Sequence, residues 1–134
     1  MTVEKRSLPF GDGMGIAVAF SNAISIRLSD IKRQVWVSGQ IALNEENQLV
    51  GKGDIGLQTD QCLRNLQLAL NGLDANMVDV VQVTVFVKNM EGLKTIHEVR
   101  RKYFNEPFPA STLIQVTGFV HPDARIEINA MAVV

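Results

Sequence analysis

The chain has 134 residues, 46% of them hydrophobic, which is enough for one buried core and too little for two ordinary domains, so a single domain over 1–134 is expected. Lys and Arg total 13 against 14 for Asp and Glu, and like charges run no further than Lys32-Arg33 and Arg100-Arg101-Lys102, which argues against a nucleic-acid or anionic-membrane binder. No apolar run approaches the ~18 residues of a membrane span, no apolar signal region follows Glu4-Lys5-Arg6, and the lone Cys62 has no internal disulfide partner, so a soluble cytoplasmic protein is expected.

In chain order, the cluster Gly11-Asp12-Gly13-Met14-Gly15 reads as a surface loop, because a phosphate-binding glycine loop must follow a strand and open a helix. Ala17 to Ile26 and Arg33 to Ser38 read as strands, joined into a hairpin by the turn chemistry of Leu28 to Lys32. A third short strand is expected around Gln40 to Leu43, before the polar turn Asn44 to Asn47. From Leu57 to Leu73 the residues Cys62, Leu66, Leu70 and Leu73 recur at helical spacing, with Asp54 or Thr59 as the start and Gly72 near the end. Val78 to Lys88 is a β-branched central strand in which Val81, Val83, Val85 and Val87 share one face.

A second helix runs from about Glu91 to Phe104, with Leu93, Ile96, Val99 and Tyr103 as its apolar stripe and Arg100 to Lys102 mostly solvated; Asn105, Pro107 and Pro109 end it. Two closing strands, Ser111 to Val120 and Arg125 to Val134, flank the turn His121-Pro122-Asp123-Ala124. The order βββ-α-β-α-ββ predicts an α+β fold with both helices on one face of a mixed sheet, since each helix has one apolar stripe to bury. In the last strand Ile126, Ile128, Ala130 and Ala132 go beneath the helices, which turns Arg125, Glu127, Asn129, Met131 and Val133 outward. Together with one set of residues from the 78–88 strand they make an outward face too apolar for a monomer to leave wet, and a homo-oligomer is inferred.

Val37-Ser38-Gly39-Gln40-Ile41, Gly53-Asp54-Ile55 with Gln58-Thr59, Asn65-Leu66, Val83 to Lys88, Pro107 with Pro109-Ala110, and Ile126 to Ala132 follow one another in an order that resembles the RidA (YjgF-like, reactive intermediate deaminase) family from about Phe20 to the C-terminus. The resemblance implies a chorismate-mutase-like fold, a homotrimer whose sheets form a central barrel, and small-molecule clefts between subunits. It also implies hydrolysis of reactive enamines and imines to a 2-keto acid and ammonia, with no metal or organic cofactor.

Carried over residue by residue, Glu127 falls on the glutamate that positions the attacking water, and Ser38, Gly39 and Gln40 on the segment that lies along the ligand. After the proline, active members carry an arginine that pairs with the substrate carboxylate; here Ser111 stands there, followed by Thr112 and Leu113. Phe20 stands where a tyrosine is common, His97 where an asparagine is, and Asn129 where a second glutamate is. Arg27 and Arg125 are the candidate compensating cations, and an arginine arriving from elsewhere would overturn the expectation of a weakened site. His97 reads as a helix-surface or capping residue, His97 and His121 have no third metal-ligating partner at recognisable spacing, and Cys62 reads as core. Two functions stand open: a deaminase-like hydrolase using Glu127, and a trimeric module that binds a small metabolite or a partner enzyme without turnover. Endoribonuclease activity, attached by name to parts of the family, is disfavoured by the neutral charge and the lack of a histidine pair or basic stripe.

Overall fold

The structure, a computed structural model, describes residues 2–134. Its order is β1 (Lys5–Pro9), β2 (Ser21–Ile26), β3 (Gln34–Gln40), α1 (Ile55–Gly72), β4 (Val80–Val87), α2 (Leu93–Tyr103), β5 (Ala110–Gln115) and β6 (Ile126–Val133), with single 3-10 turns before β3 and β4. The six strands form one sheet in the order β1-β2-β5-β4-β6-β3, parallel at β2–β5 and β4–β5 and antiparallel elsewhere.

Both helices lie on one face because each has a stripe to bury. On α1 the stripe is Cys62, Leu63, Leu66 and Leu70, all fully buried; each enclosed leucine is worth ~1.5–3 kcal/mol of transfer free energy. Asp54 caps the helix by accepting from the Leu57 N–H at 3.0 Å, an interaction worth ~1 kcal/mol. Leu73 falls outside the stripe as the exposed C-cap residue. Beneath the helices lie Val35, Val37, Val83, Val85, Val87, Ile126, Ile128, Ala130 and Ala132 in one cluster with Ile96 and Val99 of α2.

The βββ-α-β-α-ββ order stands, but its first three strands are different ones. The expected Ala17–Ile26/Arg33–Ser38 hairpin does not form: β2 pairs with β1 and β5, whereas β3 lies at the far edge on β6. The sheet curls enough that Ile24, Ile26 and Ile31 reach a small second cluster with Val3, Val81 and Val133 on its outer side. The seven residues 27–33 therefore pass around the curl instead of reversing locally. The strand expected at 40–43 is absorbed into the end of β3 and a lone bridge between Leu43 and Leu49. β5 stops at Gln115 rather than Val120, and β1 was not expected. A register shift between Val80 and Gln82 turns Val81 to the outer side, so Val80 joins Val83, Val85 and Val87 in the core instead.

Candidate functional site

Glu127 stands on β6 between buried Ile126 and Ile128 and is turned outward, opposite Phe86 of β4. Its carboxylate lies against the backbone of Gly39, in the space that a Cβ at position 39 would take. With Phe86, Val116, Gly118, Phe119 and Val120 it lines a hollow of about 370 Å³. The backbone approaches this closely because β3 ends in an irregular register, Val37 facing Ala130 and Gln40 facing Ile128, and the Gln40 amide folds back to donate to the Ser38 carbonyl at 3.0 Å.

Three side chains of α1 hold this corner in place. Asn65 donates to the carbonyls of Ile41 (3.1 Å) and Leu43 (2.8 Å), fixing the chain that leaves β3, and Gln61 donates to the Asn65 side-chain oxygen at 2.8 Å. Gln58, fully buried, donates to the carbonyls of Gly51 (3.1 Å) and Asp123 (3.0 Å) and accepts from the Arg125 N–H at 2.8 Å, fixing the chain that enters β6. A buried amide with all these bonds made is rigid, and with them broken it is costly.

A second group forms on the helix side of the sheet. Ser111 is level with Val83 and Leu113 with Val85, so both face the helices, while Thr112, level with Thr84, faces outward. Ser111 does not stand alone: the Arg100 guanidinium of α2 donates to its hydroxyl at 3.1 Å and approaches the Ala19 carbonyl at 3.5 Å. Arg100 is 1% exposed, so the expectation of a solvated 100–102 run fails at its first member; Arg101 and Lys102 are exposed, and Arg101 donates to the Val18 carbonyl and lies 5.3 Å over the Phe108 ring.

His97, expected on the helix surface, is buried as well; its Nδ1 accepts weakly from the Ala19 N–H at 3.4 Å and its ring lies 5.7 Å from that of Phe20. Burial first and the neighbouring Arg100 second push its pKa down to about 4. Burial likewise lowers Arg100, to about 10, which leaves it charged at neutral pH. Phe20 also packs on Phe10, 4.6 Å between ring centres, at the wall of a cleft of about 620 Å³ that includes Val18, Arg101 and Phe108.

The sequence signal for Arg100 and His97 was the helical spacing itself. Positions 93, 96, 97, 100 and 103 make one stripe, and the run of three basic residues disguised that Arg100 lies on it. Arg27 is exposed where β2 ends, and Arg125 approaches Glu91 at 4.0 Å. The β6 register puts Ile126 level with Val87 while Ser111 is level with Val83, four residues away along the sheet. Cys62 is fully buried, and burial, reinforced by Glu127, raises its thiol pKa far above the ordinary value, which makes it inert core. Among the described residues no three His, Cys, Asp or Glu side chains gather as a metal-binding group, and no helix is long and apolar enough to cross a membrane.

Comparison with known proteins agrees with this architecture. The sequence profile of the Endoribonuclease L-PSP family matches residues 14–134. The chain is 31% identical over 100 residues to a 2-iminobutanoate/2-iminopropanoate deaminase of Dermatophagoides farinae, covering 75% of this chain and 77% of that one. It is 36% identical over 98 residues to the 3-aminoacrylate deaminase RutC of Acinetobacter baylyi, covering 73% and 77%. The crystal structure of YyfB, a Rid-family protein of unknown function from Yersinia pestis, superimposes with a TM-score of 0.83 at 28% identity over 97% of this chain and 98% of that one. With its profile match spanning nearly the whole chain and its sheet and helices arranged as in that structure, the chain belongs to the RidA/YjgF family, also called endoribonuclease L-PSP or RutC.

Proposed function

We propose that the protein is a hydrolytic deaminase of small, reactive enamine or imine metabolites that works as a homotrimer with its clefts between neighbouring subunits. The observation that carries this reading is Glu127: an outward carboxylate seated on the Gly39 backbone beside a hollow, in a chain whose relatives include deaminases of 2-imino acids and 3-aminoacrylate. The carboxylate accepts a proton from a water as the water oxygen adds to the imine carbon. That proton passes to nitrogen, and collapse of the resulting amino alcohol expels ammonia and leaves the keto acid. Every atom comes from the imine and one water, so the reaction needs no redox partner.

The separation of its parts supports a site shared between chains. Glu127 on β6 and Ser111 on β5 are two strands and about three residues apart and face opposite sides of the sheet. With strands ~4.8 Å apart and ~3.3 Å per residue, that is about 14 Å, too far for one small imino acid to touch both within a single chain. The outward face, with Trp36 68% and Ile114 48% exposed and Phe86 and Met131 half-buried, is the surface that a second copy covers.

The alternative is a trimer that binds a small metabolite without turnover. It is favoured by the resemblance, which puts Ser111 at the place of the family's carboxylate-binding arginine. The deciding experiment generates imines with an amino-acid oxidase and follows ammonia release with and without the protein. Acceleration by the wild type, reduced about 10²–10⁴-fold in Glu127→Gln as for loss of a general base, is the expected result. Unchanged hydrolysis in that variant removes Glu127 from the mechanism, and no acceleration by the wild type selects the binding module.

A further inference from the structure

Among the described residues Arg100 enters no ion pair, and its Nη1 is buried without any hydrogen-bond partner. A guanidinium in this state is expensive, because a buried charge without a counter-ion keeps its desolvation cost, and methionine or leucine at this position of the stripe would avoid that cost. Its other terminal nitrogen donates to the Ser111 hydroxyl, which is half-exposed and whose own hydrogen has no acceptor among the described residues. A hydroxyl that accepts from a cation becomes a stronger donor in turn. The arrangement is therefore a charge held behind a contact, with spare donor capacity on both groups and no anion of the chain to use it.

We infer that Arg100 and Ser111 together form a binding site for a small carboxylate, the guanidinium supplying the charge from α2 and the hydroxyl supplying the contact from β5. The positive charge is then present after all, moved from strand to helix and set one group deeper. Neither Arg27 nor Arg125 is needed for it. His97, neutral beside Arg100 and packed on the Phe20 ring, adds no competing charge. That the carboxylate belongs to a substrate rests on the deaminase reading above; that an anion binds here does not.

The test measures binding without turnover. Pyruvate and its uncharged amide are titrated against the wild type, Arg100→Met, Arg100→Lys and Ser111→Ala, following both ligand-dependent amide shifts and the melting temperature. The wild type should prefer the acid by at least about tenfold, one unit of log affinity. Arg100→Met should lose that preference while melting no lower than the wild type without ligand, because it removes an unpaired buried charge. Arg100→Lys should keep part of the preference, and Ser111→Ala should weaken acid binding without touching the core. A wild type indifferent to the charge overturns the inference. So does an Arg100→Met protein that melts well below the wild type yet still prefers the acid, since the guanidinium would then be structural. Should Arg100→Met fail to fold, Ser111→Ala decides, an unchanged preference there being equally fatal. Failure of imine hydrolysis with Arg100-dependent pyruvate binding intact sinks the deaminase reading alone.

Discussion

His97 is neutral in the fold because it is buried beside a guanidinium, and that sets how stability follows pH. In the unfolded chain the imidazole takes up a proton near pH 6.5, whereas in the folded protein it does so only near 4. Between these values the unfolded state binds the extra proton, so the contribution of His97 to stability is complete above 6.5, declines as pH falls toward 4, and is constant below. Urea midpoints measured across that window should fall with acidification in the wild type and fall less in His97→Asn. Parallel slopes would assign the effect to other groups. What the sequence discloses at this scale depends on how a residue announces itself. Glu127 was legible because strand alternation alone turns it away from Ile126 and Ile128. Arg100 was not, because a guanidinium inside a basic run looks solvated until a partner such as the Ser111 hydroxyl is seen in front of it.

The elements were legible where burial is periodic and obscure where pairing is distant. The helices announced themselves through leucines and isoleucines three and four residues apart, and β4 and β6 through alternation of β-branched and small residues. The partner of β2 could not be read, since strand pairing depends on the path of the whole sheet and not on the turn that follows. The turn residues after Ile26 suit a single 3-10 turn on a passage around the curl as well as they suit a hairpin. Gln58 and Asn65 belonged to the family pattern without a role at the sequence level; as clamps on the chain entering β6 and leaving β3, they are what keeps Glu127 and Gly39 together. Gln58→Ala strands two carbonyls and one N–H in a buried place, and about 1–3 kcal/mol of stability should be lost for the unsatisfied groups, read as a lower denaturation midpoint together with reduced imine hydrolysis. A variant as stable as the wild type would mean that water replaces the amide at no cost.

For the whole molecule, the apolar outer side of the sheet was readable in outline from the alternation of β6. Its true extent was not, because the N-terminal residues cover one end through Val3, Ile24 and Ile26. The remainder, which includes Trp36 and Ile114, is the part that the proposed trimer would bury. Trp36→Glu puts a charge on that surface and touches nothing in the core, so sedimentation velocity should show single chains in place of the assembly while the far-ultraviolet dichroism stays the same. An intact assembly in the variant would place the subunit contact elsewhere. The β2–β5 junction is the shortest pairing in the sheet. These strands share one residue pair, Ser21 with Ala110, reinforced by the Ser21 N–H to the Pro109 carbonyl at 3.0 Å and the Ser21 hydroxyl to the Phe108 carbonyl at 2.6 Å. A sheet parts most readily where its ladder is shortest, and this seam runs beside Ala19 and Phe20, so the thinnest stitch in the fabric lies next to the hidden guanidinium, while the packing of Ile24 and Ile26 on Val81 and Val133 pins the far end of the β1–β2 ribbon.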